Sequence, residues 1–214
     1  MKTNYLILLL FTGILFTTSC EEIDNLSGGA SAPEVTYAST TYDATFFMPG
    51  QTGTPTIDWN GDQGTVSLGS AIDGVSVNAT TGQVRWTKTL PAGTHEVEVI
   101  LSNAEGQVVV PIVIENPLQG RFEGVYDDAI YYALIFKTDG TVDVEVDNPD
   151  NPYEGNGTYE LLPNGTISAE YEYEHDPGRP IQITGEFDQS GSEAVLKGDW
   201  ESASLSGTYL LSLQ

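Results

Sequence analysis

The residues best suited to bind a ligand lie in one alternating segment, residues 169–174, with sequence AEYEYE. On a strand, Tyr171 and Tyr173 share one face and the glutamates lie on the other, because successive side chains point to opposite sides. Such rings either pack inside a barrel or stand exposed as a platform for sugar rings, since aromatic faces combine apolar area with a polar edge. Tyr131 and Tyr132 are candidates for the same platform. These four tyrosines are therefore candidate ligand-binding residues, and a core role stays open as the alternative.

A second candidate site is the oxygen-rich segment 147–152, with sequence DNPDNP. Carboxylate and amide oxygens are the ligands that calcium prefers, so Asp147 and Asp150 are candidate calcium ligands. Asn-Pro pairs also favour turns without any metal. The sequence leaves a plain turn and a calcium site as alternatives, and calcium is the one cofactor it suggests.

Residues that could carry out catalysis are scarce. The two histidines are His95, at the head of an alternating strand, and His175, in a turn before Asp-Pro-Gly, and neither belongs to a catalytic motif. The chain contains no His-Glu-x-x-His and no Gly-x-Ser-x-Gly. Paired carboxylates could still serve glycoside hydrolysis, but no spacing singles out a pair. We expect a non-enzymatic protein, with a glycoside hydrolase as the remote alternative.

The amino-terminal segment carries chemistry of another kind. Met-Lys precedes an apolar run over residues 5–16, and Thr-Thr-Ser then leads to Cys20, the only cysteine of the chain. A charged start and an apolar run of this length are typical of an export signal and fall short of a spanning helix. A single cysteine excludes a disulfide within the chain. We therefore interpret Cys20 as a lipidation site.

The segment ending at Cys20 resembles the lipobox of bacterial lipoproteins, and the acidic residues after it, Glu21, Glu22 and Asp24, resemble the surface-export signal of the Bacteroidota group. The resemblance implies a signal peptide over residues 1–19 and a lipid anchor in the bacterial outer membrane, with the protein facing the cell exterior. The small residues that follow predict a flexible tether over residues 20–32.

Composition restricts the partners. Thirty-one acidic and seven basic residues give a formal net charge of −24, which rules against nucleic acid, because binding it requires basic residues that neutralise phosphates. We interpret most of these acidic residues as a solvated surface. The alternative is that they attract divalent cations or cationic partners. Frequent Gly, Thr, Tyr and Val favour strands over helices.

Residues 33–115 form the first predicted domain, which ends at an Asn-Pro break. Short β-prone runs alternate with turn signals, as in an antiparallel sandwich. The predicted strands are residues 34–37, 44–47, 54–59, 64–68, 74–77, 83–87, 94–101 and 107–114. The segments 72–84 and 90–94 resemble the Ig-like or cadherin-like repeats of bacterial surface proteins, which implies a β-sandwich and a role in adhesion.

Residues 118–214 form the second predicted domain, in which the step Gly-x-aromatic recurs at residues 124–126, 157–159, 185–187, 198–200 and 207–209. Each glycine leaves room beside a ring or lets a curved sheet bend. The predicted strands are residues 121–126, 130–137, 141–147, 155–162, 166–174, 180–188, 194–200 and 205–213. Eight strands in sequence predict an up-and-down meander closed into a small barrel.

The segment 122–126, with sequence FEGVY, and the repeated glycine steps resemble lipocalin-like and avidin-like barrels. The resemblance implies a fold that can hold a small ligand. We therefore expect an all-β, lipid-anchored protein of the cell surface that binds glycans in first place and a surface protein in second. A small-ligand carrier is the alternative. We also expect residues 118–214 to fold alone.

Overall fold

The computed structural model of the protein describes residues 31–214. Every regular element in this part of the chain is a β-strand, so the predicted all-β fold is confirmed. The predicted signal peptide, the lipidation site at Cys20 and the tether up to residue 30 lie outside the described residues. Between residues 31 and 214, no helix is long and apolar enough to cross a membrane.

The first unit is a β-sandwich. Its strands are β1 (Glu34–Thr36), β2 (Thr41–Asp43), β3 (Gly50–Gln51), β4 (Thr56–Asp58), β5 (Thr65–Leu68), β6 (Val75–Val77), β7 (Val84–Trp86), β8 (Gly93–Ser102) and β9 (Gln107–Asn116). The four-stranded sheet β2-β9-β8-β5 shares one apolar core with the smaller sheets β3-β7-β6 and β1-β4. As the alternation predicts, Val97, Val99 and Leu101 on β8 are buried.

Two residues ahead of the first strand contact the sandwich. The Asn60 side-chain amide donates to the Ala32 carbonyl at 2.9 Å, and the Asn103 amide donates to the Ser31 carbonyl at 2.7 Å. Residues 31 and 32, assigned to the tether from the sequence, are therefore hydrogen-bonded to the sandwich.

The second unit is a closed barrel of eight antiparallel strands. They are β10 (Gly120–Tyr126), β11 (Ile130–Phe136), β12 (Thr141–Asp147), β13 (Tyr153–Leu161), β14 (Thr166–Tyr173), β15 (Ile181–Gln189), β16 (Ala194–Glu201) and β17 (Ser206–Leu213). Each strand pairs with the next, and β10 pairs with β17 to close the barrel. All eight predicted strands are present, and the predicted meander is confirmed.

One glycine shows how the barrel accommodates its rings. A Cβ added at Gly185 on β15 would lie 2.3 Å from the hydroxyl of Tyr209 and 2.9 Å from the Leu196 side chain. Only glycine leaves that space, so this Gly-x-aromatic step makes room for a ring from another strand.

The two ends of the barrel are built from different turns. The closed end carries the turns 137–140, 162–165 and 190–193, and the sandwich packs against it. The mouth, at the opposite end, carries the turns 127–129, 148–152, 174–180 and 202–205.

The closed end is completed by a residue of the sandwich. Phe46 is buried among barrel side chains, with its ring centroid 6.1 Å from that of Phe122 and 5.8 Å from that of Phe187. The strand predicted over residues 44–47 is wrong: the segment is a turn, with a positive φ of 59° at Phe47. The reversal carries Phe46 out of the sandwich sheets and into the barrel core.

Further contacts join the two units. Leu118, in the three-residue link between β9 and β10, is buried in the barrel core, and its carbonyl accepts a hydrogen bond from the Tyr159 hydroxyl at 2.7 Å. The Gln189 amide donates to the carbonyls of Lys88 and Leu90 at 3.1 and 3.3 Å. Independent folding of residues 118–214 stays a prediction, and these contacts count against it.

Candidate ligand-binding cleft at the barrel mouth

A cleft of about 890 Å³ opens at the barrel mouth. This volume lies in the range of small-molecule sites, which are concave, largely apolar and equipped with a few polar groups. Its lining comes from the mouth ends of β10, β11, β14, β15 and β16 and from the turns 174–180 and 202–205. The turns therefore supply the rim, and the strands supply the floor and walls.

Two buried tyrosines form the floor. Tyr132 and Tyr171 are 1% and 3% exposed, and the Tyr132 hydroxyl donates to the Tyr171 oxygen at 3.0 Å. Burial raises the pKa of both phenols well above the usual value, so both stay neutral in the folded protein even at mildly alkaline pH. The Tyr173 hydroxyl lies 3.4 Å from that of Tyr171 and extends this row of hydroxyls.

Tyr126 and Trp200 form the first wall. Both are half-buried, their ring centroids are 5.7 Å apart, and their planes are nearly perpendicular, at 82°. Tyr126 also makes an edge contact with Tyr132, at 5.7 Å, which joins this wall to the floor. Burial, and then the nearby carboxylates of Asp127 and Asp147, raise the pKa of Tyr126.

Tyr173 and His175 form the second wall. Their rings are stacked at 5.4 Å with an interplanar angle of 26°. The ring of Tyr153, which is 53% exposed, contacts His175 from outside the cleft, with the two ring centroids 4.5 Å apart. Two groups of rings with polar edges thus line one cleft.

Polar groups on the rim carry charges of both signs. Arg179 forms an ion pair with Asp176 at 3.3 Å, and Gln182 and Glu201 also line the cleft. Since Asp176 neutralises Arg179, Glu201 leaves the lining with a negative excess. Leu205, 66% exposed, adds an apolar side chain at the rim.

The structure corrects the idea of an exposed tyrosine platform. Tyr132 and Tyr171 are buried because they occupy inward strand positions, and Tyr173 is half-buried in a wall. Tyr131 lies away from the cleft, where its hydroxyl accepts a hydrogen bond from Arg121 and contacts Glu145. Three of the four predicted tyrosines therefore meet at one site, and their role in binding stays a prediction.

Tyr131 belongs to an ion-pair network. The Arg121 guanidinium binds both carboxylate oxygens of Glu145, at 3.0 and 2.6 Å, and contacts Glu123 at 3.0 Å. The hydrogen bond from Arg121 lowers the pKa of Glu145. The network crosses strands β10, β11 and β12, where one guanidinium binds two carboxylates.

The predicted calcium segment is a hydrogen-bonded turn. The Asn148 side-chain oxygen accepts the Asp150 N–H at 3.0 Å, and Asp147 has a positive φ of 83°. Across residues 31–214, no group of three or more His, Cys, Asp or Glu side chains is placed to hold a metal ion. Calcium at Asp147 and Asp150, with amide oxygens as further ligands, stays a prediction that calorimetric titration of the parent and of Asp150→Ala would test.

Several cleft residues escaped sequence reasoning. Tyr126 and Trp200 are the aromatic members of two Gly-x-aromatic steps, and both lie where a strand reaches the mouth. The Gly157 and Gly185 steps run toward the closed end, where Tyr159 and Phe187 pack against the core. The direction of each strand in the meander is the signal that could have separated the two groups.

No family model and no curated protein matches the sequence. Among solved structures, the chain is similar to the crystal structure of human protocadherin-24 EC1-2, form II, at 14% identity and a TM-score of 0.39. The match covers 85% of this chain and 97% of that one. A likeness at this level does not bear on what the chain binds.

Proposed function

We propose that this protein is a non-catalytic binding protein that takes a sugar residue of a glycan into the cleft at the barrel mouth. The observation that carries the proposal is the pair of aromatic walls, Tyr126 with Trp200 and Tyr173 with His175, above a neutral floor. Sugars offer apolar C–H faces that stack on rings and hydroxyls that bind polar side chains.

The chemistry of the lining favours a sugar over a wholly apolar ligand. Every wall residue combines a ring with a polar atom, and Gln182, Glu201 and Arg179 add donors and acceptors at the rim. Tyrosine and tryptophan are suited to surfaces that are partly wet and partly apolar. The negative excess at the rim favours neutral or amino sugars over acidic ones, because like charges repel.

The barrel interior is filled below the floor. Leu134, Val144, Ile167, Ile183, Leu196 and Leu211 are at most 1% exposed and pack in one core. An eight-stranded barrel is just wide enough for side chains to fill. A small-ligand carrier remains the second candidate, and its ligand would also occupy the mouth.

The proposed location rests on the sequence around Cys20. A diacylated cysteine would hold the protein on the bacterial outer membrane, since two acyl chains anchor a soluble domain stably. The chain reaches the sandwich first, and the mouth lies at the far end of the barrel, so an anchored molecule would direct its cleft away from the membrane. Labelled palmitate should enter the parent and not Cys20→Ala, and equal labelling would contradict the anchor.

A glycan array tests the binding proposal. The parent protein should retain neutral or amino oligosaccharides, and Trp200→Ala should lose most of that signal. Leu162→Ala is the control, because it removes an exposed apolar side chain at the closed end. Equal binding by Trp200→Ala and the parent, or retention of acidic glycans alone, would contradict the proposal.

A further inference from the structure

The turn between β10 and β11 has an unusual backbone for its residues. Asp127 and Asp128 have φ angles of 49° and 61°, and the Ala129 N–H donates to the Tyr126 carbonyl at 3.3 Å. Positive φ at both central residues of a turn closed by this hydrogen bond is typical of mirror-image β-turns, which favour Asn-Gly or Asp-Gly because glycine has no Cβ. Two aspartates in this conformation point to a role beyond joining two strands.

The side chain of Asp127 supplies such a role. Its Oδ1 atom accepts hydrogen bonds from Trp200 Nε1 and from the Thr208 N–H, both at 3.2 Å. Its own N–H donates to the Thr208 carbonyl at 2.9 Å. One carboxylate oxygen therefore links the turn to β16 and to β17, and holds the edge of the Trp200 ring.

Gly207 leaves the space that this contact needs. A Cβ added at Gly207 would lie 2.0 Å from Asp127 Oδ1 and 2.6 Å from Trp200 Nε1. Any other residue would displace the carboxylate or the indole. This Gly-x-aromatic step therefore admits a carboxylate to the edge of a ring.

The hydrogen bond from Trp200 to Asp127 fixes the orientation in which the indole ring faces a ligand. With its N–H bound to Asp127, the indole stands nearly perpendicular to Tyr126 and keeps that angle through an edge contact. A ring fixed before binding loses less conformational entropy when the ligand arrives. We infer, on the basis of the proposed function, that Asp127 is the positioning residue that holds Trp200 as a stacking surface for a sugar.

The variant Asp127→Gly tests this role, because glycine accepts the positive φ and removes the carboxylate. Asp128→Gly is the matched control, since it makes the same chemical change at the next residue of the turn. Asp127→Asn keeps an acceptor oxygen on a residue that tolerates this backbone, so it should behave like the parent.

The first measurement needs no sugar. In NMR spectra, Asp127→Gly should lose the contact signal between the Trp200 indole and the Tyr126 ring, and its indole N–H should exchange faster. Asp128→Gly and Asp127→Asn should keep both signals. If Asp127→Gly also keeps them, the inference is overturned, whether or not any glycan binds.

The second measurement is affinity for the strongest neutral oligosaccharide on the array. Calorimetry should show binding roughly five- to tenfold weaker for Asp127→Gly and unchanged for Asp128→Gly, the size expected for one misplaced ring. If Asp127→Gly releases the indole but binds as the parent does, the inference is overturned and the proposed function stands. If the parent binds no glycan, the proposed function fails, and the NMR comparison alone decides whether Asp127 orients Trp200.

Discussion

The two ends of the barrel use aromatic rings in opposite ways. At the closed end, Phe46, Phe122, Phe136 and Phe187 meet at centroid distances of 5.5–6.1 Å and are covered by the sandwich. At the mouth, the rings belong to tyrosine, tryptophan and histidine, and three of the six that line the cleft, Tyr126, Tyr173 and Trp200, are half-buried. The same eight strands form both ends. The closed end is packed because its rings are apolar and the sandwich covers them, and the mouth is suited to binding because its rings carry polar atoms beside an open cleft.

The largest expected effect is at the closed end. Phe46→Ala should lower the free energy of unfolding of the barrel by about 3–5 kcal/mol, because it opens a cavity among buried rings. Met48→Ala is the control, since Met48 lies in the same loop, is 54% exposed and should cost under about 0.5 kcal/mol. Urea unfolding measures both, and equal midpoints would show that Phe46 contributes no core packing.

A smaller loss in the free energy of unfolding is expected at the floor of the cleft. Tyr171→Phe should cost about 1–3 kcal/mol, because the buried Tyr132 hydroxyl loses its acceptor at 3.0 Å. The variant keeps the shape of the ring, so it should fold. The change in its unfolding free energy then reports the lost hydrogen bond and not lost packing. An unfolding free energy equal to that of the parent would mean that water replaces the lost acceptor.

Alkaline pH should weaken the floor as well. The pKa values of Tyr132 and Tyr171 are raised by burial, so their stabilising contribution is present below the unfolded value of about 10 and is lost as pH rises toward the folded values. Phenolate absorbance should show these rings ionising only as the barrel unfolds. Tyr37 in the sandwich, whose pKa burial raises to about 12, gives a comparison outside the barrel. Full ionisation of all tyrosines in the folded protein near pH 10 would contradict a closed floor.

The smallest effect on the free energy of unfolding is expected for the ion pair between Arg121 and Glu145, which lies outside the cleft. The pKa of Glu145 is lowered by Arg121, so the ion pair stabilises the fold above the unfolded carboxyl pKa, and this contribution is lost as pH falls through the lower folded value. Both side chains are partly exposed, so Arg121→Gln should cost under about 1 kcal/mol near neutral pH. The urea midpoints of parent and variant should differ at about pH 7 and become equal at about pH 3. A constant gap would indicate lost packing of the arginine stem.

The barrel was predictable because its signals are local. Alternation and the Gly-x-aromatic steps place each strand, and the turns at Gly140 and Gly165 have the positive φ that their sequences predict. The turn at Phe46 was not predictable, because residues 44–47 look β-prone and Phe46 finds its partners some eighty to a hundred and forty residues away. The two-residue alternation along a strand also cannot say whether Tyr171 faces the core or the solvent, since that depends on how the barrel closes.

Ligand should bind at the mouth and not at the closed end or in the sandwich. Titration of the strongest neutral oligosaccharide into isotope-labelled protein tests this directly by NMR. Shifted amide signals should cluster in the turns 127–129, 174–180 and 202–205, together with the Trp200 indole signal. Shifts confined to the turns 137–140 and 162–165, or to the sandwich strands, would contradict it.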